Sequence, residues 1–266
     1  MVGVITSPDN EKVRYLRSLH EHSARQRARR FLIEGVRLVE EALAAGVAPE
    51  LVLADEESLG RTVRGLALLE RLRHLPGYFR VTPRALKAAA ETVTPQGVVA
   101  AVPFPEPPPA AGAAAIALVV DGIQDPGNVG TILRTAEAAG ARPVLLAPGT
   151  VDPFSPKVVR AAMGAHFCLP LVAGPWDTIG PYLQGRAVWL ADVGAGVPYY
   201  EIDWSLPSAV IIGSEARGAS AQAEKMATGR LTIPMVGRAE SLNAAIATGV
   251  ILFEALRQHA VRGDRR

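Results

Sequence analysis

Six short apolar runs in the second half of the chain constrain its fold more than any other feature. Each run is continuous rather than alternating, which is typical of strands covered on both faces. Helical patterns separate most of them, and this alternation predicts an α/β domain with a mostly parallel sheet. The runs are Ile116–Asp121, Val144–Ala147, Phe167–Leu171, Ala187–Ala191, Ala209–Gly213 and Leu231–Pro234.

A proline-rich segment divides the chain. Five prolines lie between Pro103 and Gly112. Proline fits neither a helix interior nor a central strand, so this segment favours an extended spacer. Because 266 residues suit two domains, we predict an N-terminal domain over residues 1–104, a linker over 105–114 and a second domain over 115–266.

The N-terminal domain is predicted to be a smaller α/β unit. The pattern over Arg25–Ala45 predicts one long helix ended by Gly46. Short apolar runs and helical patterns follow. The strands are predicted at Leu51–Ala54 and Gly97–Val102, and the helices at Arg61–Arg73 and Pro83–Ala90.

Composition excludes several classes of protein. The single cysteine, Cys168, excludes an internal disulfide and a multi-cysteine zinc site, and we predict no metal. The first residues lack a basic region followed by an apolar run, and no stretch reaches the ~18 apolar residues of a membrane span. We therefore expect a soluble, cytoplasmic protein.

The net charge of +2 conceals a basic cluster near the N-terminus. Eight basic residues lie between Glu11 and Arg37 against three acidic ones. Clustered arginine suits phosphate binding, because each contact releases condensed counterions, although a solvated helix face would look the same. The candidate nucleic-acid contacts are Arg25, Arg27, Arg29, Arg30 and Arg37.

Three segments at the predicted carboxyl edge of the sheet differ from ordinary connections. Ligands bind at that edge in open α/β sheets. In the first segment, Val120–Gly140, a polar turn precedes a helix that begins near Asn128. Arg134 lies nearly opposite the apolar face of this helix. A helix cap at Asn128 and a solvated side chain at Arg134 are the structural alternatives.

The second segment, Val210–Ala219, runs from a buried strand into Gly213 and Gly218. Glycines at a strand end allow a ligand to approach the backbone, and Glu215 could accept a ligand hydrogen bond or hold an arginine. The spacing is neither a Rossmann fingerprint nor a phosphate loop, and a tight turn is the structural alternative.

The third segment follows the last apolar run and leads into the final helix. Ser241 is expected to open that helix as its N-cap, whereas Asn243 has no evident structural need. The helix is apolar nearly all round, so we expect it to be buried in a core or against a second subunit.

Together, the three segments resemble the three motifs of the SpoU (TrmH-like) branch of the SPOUT RNA methyltransferases. Order, spacing and residues match over residues 115–259. The Arg30–Arg37 and Thr94–Ala100 segments also resemble the substrate-binding domain of the ribosomal RNA members. The resemblance implies a C-terminal trefoil knot, a homodimer, S-adenosylmethionine as cofactor and RNA as substrate.

The resemblance also implies roles for individual residues. The implied active-site positions are Asn128, Arg134, Glu215, Ser241 and Asn243. The implied cofactor positions are Gly213, Gly218, Ile233, Met235 and Leu242, with Thr150 near the adenine.

Arg134 is the leading candidate for acting on the ribose 2′-hydroxyl. An arginine stays protonated with a pKa above ~12, so it cannot serve as a simple general base. The hypothesis is that Arg134 binds the adjacent phosphate and the developing alkoxide. Ser214 and Ala162 depart from residues common in relatives, and Lys157 and Arg160 could add phosphate contacts.

The resemblance thus implies 2′-O-methylation of ribosomal RNA, most specifically 23S RNA, and the N-terminal domain with its basic helix favours ribosomal over transfer RNA. Transfer RNA and self-protection against a ribosome-directed antibiotic stay open. A non-catalytic RNA-binding protein on the same fold is the alternative from another class, and the intact motif residues argue against it. A nicotinamide-dependent oxidoreductase would need the glycine fingerprint that is missing.

Overall fold

The computed structural model describes residues 3–110, 116–194, 196–215 and 217–263. These residues form two compact units, and the chain passes from the first to the second between Phe104 and Pro105, inside the proline-rich segment. Each unit has its own sheet. Residues 111–114 of the expected linker lie outside the described residues.

The helices and strands are numbered in chain order. The helices are α1 Glu11–Ser18, α2 His22–Ala28, α3 Val36–Ala44, α4 Glu56–Leu59, α5 Val63–Leu72, α6 Pro83–Ala89, α7 Pro126–Ala138, α8 Pro156–Ala162, α9 Trp176–Ile179, α10 Ala221–Met226 and α11 Ala244–Gly263. The strands are β1 Arg30–Glu34, β2 Leu51–Ala54, β3 Tyr78–Arg80, β4 Val98–Pro103, β5 Ala117–Val120, β6 Val144–Leu146, β7 Leu171–Ala173, β8 Ala187–Ala191, β9 Val197–Pro198, β10 Ser208–Ile212 and β11 Gly229–Thr232.

The first unit is built on a four-stranded sheet in the order β1-β4-β2-β3. Strand β4 pairs antiparallel with both β1 and β2, and β2 pairs parallel with β3. Helices α1 and α6 cover one face, where Leu16, Leu86 and Val99 belong to one buried core. The strands predicted at Leu51–Ala54 and Gly97–Val102 and the helices predicted near Arg61–Arg73 and Pro83–Ala90 are confirmed.

The single helix predicted over Arg25–Ala45 is wrong. Helix α2 ends where Arg29 adopts a left-handed conformation, with φ of 53°. Strand β1 follows and pairs with β4, and Gly35, with φ of 95°, leads into α3. The hydrogen bonds that β1 forms with β4, about 70 residues away, outweigh the local preference for helix, because helix propensity is a weak preference.

The second unit is built on a seven-stranded sheet in the order β7-β6-β5-β10-β8-β11-β9, and every described strand pair in it is parallel. Strands β5 and β10 are completely buried. This burial confirms the inference that continuous apolar runs are strands covered on both faces. Five of the six predicted strands coincide with observed ones to within a few residues.

The prediction of a strand over Phe167–Leu171 is wrong over most of its length. Ala165–Phe167 form a 3-10 turn, and β7 begins only at Leu171, after Pro170. The segment Phe154–Phe167 belongs to the first unit rather than the second. There the ring of Phe154 stacks on Phe104, with centroids 3.9 Å apart, and Phe167 stacks on Phe31. These aromatic contacts account for its membership of that unit.

The order of the strands places a topological switch point between β5 and β10. From β5 the chain moves outward to β6 and β7, then returns to the other side of β10 to form β8. Loops leaving the carboxyl ends of neighbouring strands at such a point diverge and leave a crevice. No helix within the described ranges is both long and apolar enough to cross a bilayer.

Candidate active site at the carboxyl edge of the sheet

The carboxylate of Glu215 joins the three segments that the sequence singled out. Its Oε1 atom accepts hydrogen bonds from Asn128 Nδ2 at 2.9 Å and Asn243 Nδ2 at 3.1 Å, and from the backbone N–H of Ala244 at 3.0 Å. Asn243 Nδ2 also donates to Asn128 Oδ1 at 2.9 Å. The structure therefore brings together Asn128 in the first turn of α7, Glu215 in the loop after β10 and Asn243 directly before α11.

Asn128 is not a helix cap. Helix α7 begins at Pro126, and the side chain of Asp125 caps it by accepting from the backbone N–H of Asn128 at 2.7 Å. The amide of Asn128 is therefore available for Glu215 and Asn243. The structural alternative for Asn128 considered from sequence is excluded.

The expectation that Ser241 caps the final helix is wrong, and the cap is Asn243. Helix α11 begins at Ala244, and Asn243 Oδ1 accepts from the backbone N–H groups of Ala245 at 2.9 Å and Ile246 at 3.3 Å. Asn243 thus has a structural role that the sequence did not reveal. Ser241 lines the cavity described below.

Arg134 lies on α7 six residues after Asn128, which is about 9 Å further along the helix axis. Its side chain is exposed, and within the described residues it makes no hydrogen bond or ion pair. Among these residues, Arg134 therefore makes no hydrogen bond with the Glu215 cluster, by which we mean the hydrogen-bonded side chains of Asn128, Glu215 and Asn243. A guanidinium without a protein partner keeps its five N–H donors available for a ligand.

A cavity of about 320 Å³ adjoins the cluster at the ends of β8, β10 and β11. This volume lies within the range of small-ligand sites, about 300–1,000 Å³. Five of the six predicted cofactor residues line it: Gly213, Gly218, Ile233, Met235 and Leu242. A Cβ atom at Gly213 would lie 2.8 Å from the backbone nitrogen of Ala219, so no larger residue fits the turn.

The charged groups around this cavity favour a cationic ligand. Four carboxylates line it against two arginines: Asp192, Glu215, Glu224 and Glu240, with Arg217 and Arg230. Arg230 forms ion pairs with both Asp192 and Glu224. The excess of negative charge complements a sulfonium, and the apolar side chains of Ile233 and Leu242 offer surface to an adenine. The residues present therefore fit S-adenosylmethionine.

Thr150, the sixth predicted cofactor residue, does not line the cavity. Its hydroxyl donates to the carbonyl of Val120 at 2.9 Å and accepts from the backbone N–H of Gly122 at 3.0 Å. Thr150 therefore holds the start of the β5–α7 loop.

Asp121 is a residue of this site that the sequence reasoning missed. It follows β5, is 1 % exposed, and its backbone N–H donates to Ile212 at the end of β10. Its Oδ2 atom accepts from the backbone N–H of Ser220 at 2.6 Å. One residue thus holds both ends of the loop that carries Glu215. An acidic residue directly after a buried strand was the available signal.

The predicted nucleic-acid arginines in the first unit divide into two groups. Arg25 is buried, and its Nη1 donates to the carbonyls of Leu19 and His20, each at 2.7 Å, so the expectation of a surface contact is wrong for it. Burial leaves no room for a phosphate, and the two carbonyls occupy the donors of Nη1. Arg27 and Arg29 are exposed, whereas Arg30 pairs with Glu50 and Arg37 lies 4.0 Å from Glu41.

Comparison with known proteins places this geometry in one class, the RNA methyltransferases. The SpoU rRNA Methylase family matches residues 115–253, and an MRM3-like substrate binding domain matches residues 10–100. The 23S rRNA (guanosine(2553)-2′-O)-methyltransferase RlmP of Bacillus subtilis is 36 % identical over 94 % of this chain and 97 % of its own length.

Solved structures agree with this placement. An AdoMet-bound rRNA methyltransferase from Sinorhizobium meliloti superimposes with a TM-score of 0.82 and 32 % identity, covering 96 % of this chain and 98 % of its own. An RNA 2′-O ribose methyltransferase superimposes with a TM-score of 0.80 and 33 % identity, covering 97 % and 100 %. The chain belongs to the SpoU rRNA methylase family. It is an S-adenosylmethionine-dependent methyltransferase, and the predicted enzyme class and cofactor are confirmed.

Proposed function

We propose that this chain transfers the methyl group of S-adenosylmethionine to a ribose 2′-hydroxyl of ribosomal RNA, most specifically 23S RNA. The observation that carries the proposal is the junction of Asn128, Glu215 and Asn243 beside a net-negative cavity. Two of the relatives named above, RlmP of Bacillus subtilis and the RNA 2′-O ribose methyltransferase, methylate 2′-oxygens according to their names. A substrate-binding domain over residues 10–100 supports a large RNA substrate.

The cofactor supplies an electrophilic methyl group on a sulfonium centre. We assign its binding to Gly213, Gly218, Ile233, Met235 and Leu242, which line the cavity. The two glycines offer backbone groups and the three other residues offer apolar surface, which suits a flat adenine. The carboxylates that line the cavity remain available to the positive charge of the sulfonium. The Glu215 cluster fixes the loops on which these residues lie.

Arg134 is assigned to the RNA rather than to the cofactor. It is exposed and lies outside the cavity lining, so its donors are available to a phosphate and to the 2′-oxygen as that oxygen becomes negative. Donors aimed at a developing oxyanion contribute about 2.7–4 kcal/mol each. In-line positioning of the hydroxyl supplies a further part of the rate.

The test is methylation of ribosomal RNA from cells that lack the protein, with methyl-labelled cofactor and mapping of 2′-O-methyl sites. Wild-type protein is expected to label one or a few positions. The Arg134→Ala variant should lose roughly 10²–10³-fold in turnover and keep wild-type cofactor affinity. Arg134→Lys keeps the charge but loses the planar fork, so it should recover little. Cofactor affinity falling in parallel with turnover would contradict the assignment of Arg134 to the RNA.

Labelling of transfer RNA but not of ribosomal RNA would contradict the proposal that ribosomal RNA is the substrate. Binding without any transfer in a single turnover would instead identify a non-catalytic RNA-binding protein.

The homodimer, the knot and the cytoplasmic location are part of the same proposal. Exposed apolar residues on α11, among them Ile246, Phe253 and Leu256, support a dimer. Strand β10 lies between β5 and β8, and β11 lies beyond β8. This order supports the proposed knot, in which the C-terminal segment passes through a loop. The cytoplasmic location rests on the likeness to the bacterial RlmP enzyme.

A further inference from the structure

A second cavity, of about 270 Å³, lies inside the first unit. Its walls come from three stretches of chain: the end of β1 with the start of α3, the loop after α6, and helix α8. The segments Arg30–Arg37 and Thr94–Ala100, which the sequence analysis singled out outside the active site, contribute to it, and so does Arg160. The proposed methyl transfer uses none of them.

The lining combines aliphatic walls with a few polar groups. Leu32, Leu38, Val159 and Met163 form the apolar part. Such surfaces accept the faces of a flat ring, and a methionine sulfur makes favourable contacts with aromatic rings. The walls therefore suit a planar ligand.

The polar side of the cavity is fixed in advance. The Glu34 carboxylate accepts from the backbone N–H groups of Glu91 at 3.0 Å and Thr92 at 3.3 Å, and from the Thr92 hydroxyl. Arg160 on α8 forms an ion pair with Glu91. The loop after α6 is thus held to both neighbouring walls, which lowers the entropy lost when a ligand binds.

Gln96 presents its amide to this space. A Cβ atom at Gly35, where φ is 95°, would lie 2.8 Å from Gln96 Oε1, so a glycine there makes room for the amide. Within the part of the chain that the structure describes, the Gln96 side chain makes no hydrogen bond. Its carbonyl and NH₂ groups are available to the edge of a ligand that both donates and accepts.

The charges of the lining residues do not favour a phosphate as the main ligand of the cavity. Two carboxylates, Glu34 and Glu91, balance two guanidinium groups, Arg37 and Arg160. A phosphate site needs a clear positive excess, because phosphate contacts are electrostatic. A neutral ring with hydrogen-bonding edges has no such requirement. Proteins recognise single-stranded RNA through unstacked bases of this kind.

We propose that this cavity binds one nucleobase of the RNA, unstacked from its neighbours, between the aliphatic walls and the Gln96 amide. The proposal rests on the RNA substrate proposed above and names a subsite for it on the substrate-binding unit. Thr94 and Gln96 contact the base, while Glu34 and Glu91 act as positioning residues by holding the loop.

The test uses the full chain and two RNA probes of equal length, a twelve-nucleotide oligouridylate and an abasic oligomer with the same phosphates. Wild-type protein is expected to bind the oligouridylate on the order of tenfold more tightly than the abasic oligomer. Thr94→Trp, which fills the cavity, and Gln96→Ala, which removes the amide, should each abolish this difference. The salt dependence of binding, which reports phosphate contacts, should stay unchanged in both.

Val93→Trp is the matched control. Val93 is on the same loop, is 80 % exposed and does not line the cavity. This variant should bind both probes as wild type does. If Thr94→Trp lowers the melting temperature, Gln96→Ala decides, because its amide has no hydrogen bond in the described protein to lose. The proposal would be overturned if the Gln96→Ala variant kept the full preference for the oligouridylate. It would also be overturned if the wild-type protein bound the two probes equally.

Methyl transfer to ribosomal RNA is measured separately on the same proteins. Absence of transfer by wild type, with the base preference intact, would contradict the proposed function and leave the cavity assignment standing. Normal transfer by wild type without any base preference would contradict the cavity assignment alone.

Discussion

Glu215 shows how one side chain can hold a candidate active site together. A single carboxylate oxygen accepts three hydrogen bonds, from Asn128, Asn243 and the backbone of Ala244. The bonds to the two asparagines are exposed and the bond to Ala244 is half-buried, so each contributes about 0.5–1.5 kcal/mol, because water can replace a lost partner. For the arrangement of the site, the position of this accepting oxygen therefore matters as much as the negative charge of the carboxylate.

Two substitutions separate these contributions. Glu215→Gln keeps a carbonyl oxygen that can accept the same three bonds, so we expect methyl transfer within several-fold of wild type. Glu215→Ala removes the acceptor, and we expect a loss of turnover on the order of tenfold or more with a lower melting temperature. Steady-state methylation and thermal unfolding provide the measurements. Equal damage in the two variants would mean that the negative charge itself is required.

The residue that caps helix α11, Asn243, also belongs to the candidate site. Asn243 Oδ1 caps the helix, whereas Asn243 Nδ2 binds Asn128 and Glu215. We therefore expect stability and activity to depend on different atoms of this side chain. A substitution that keeps only the cap should separate the two.

Asn243→Ser and Asn243→Ala form that pair. Serine is about as good an N-cap as asparagine, and loss of the cap in alanine costs about 1 kcal/mol. We expect the alanine variant to melt at a lower temperature than the serine variant, and both to lose most methyl transfer because neither has the Nδ2 donor. Calorimetry and labelled transfer are the two measurements. Full activity in Asn243→Ser would show that the amide donor is dispensable.

At the scale of the molecule, α11 exposes a second apolar surface. Ile251, Leu252 and Ala255 are buried in the unit, but Ile246, Phe253 and Leu256 are 57 %, 49 % and 39 % exposed. The expectation that the final helix is buried is therefore met on one face only in the single chain. Contiguous exposed apolar residues of this kind mark association sites.

Replacing Phe253 tests the proposed homodimer. We expect wild-type protein to sediment as a dimer and Phe253→Glu to sediment as a folded monomer, since a charge placed in an apolar interface has no partner. Leu66→Glu is the control, because Leu66 is 49 % exposed on α5 in the first unit. Sedimentation velocity over a range of concentrations measures both. A dimer that persists in Phe253→Glu would exclude this face as the interface.

The sequence by itself determined the features that depend on local pattern. Continuous apolar runs identified β5, β8 and β10. A polar turn after β5 and two glycines after β10 identified the segments that carry Asn128 and Glu215. The alternation of strands and helices predicted the parallel sheet, because parallel neighbouring strands need a crossover connection, which is usually a helix. The residues that carry the family resemblance also lie in these segments.

Only the tertiary structure decided which distant segments meet. Residues 30–34 became a strand because β4 pairs with them, and Phe154–Phe167 joined the first unit through ring contacts. Asn243 proved to be a cap, and Arg25 was buried against two carbonyls. Local periodicity records which face of an element is apolar but not which partner covers it. Pairing, burial and shared hydrogen bonds appear only when the whole chain has folded.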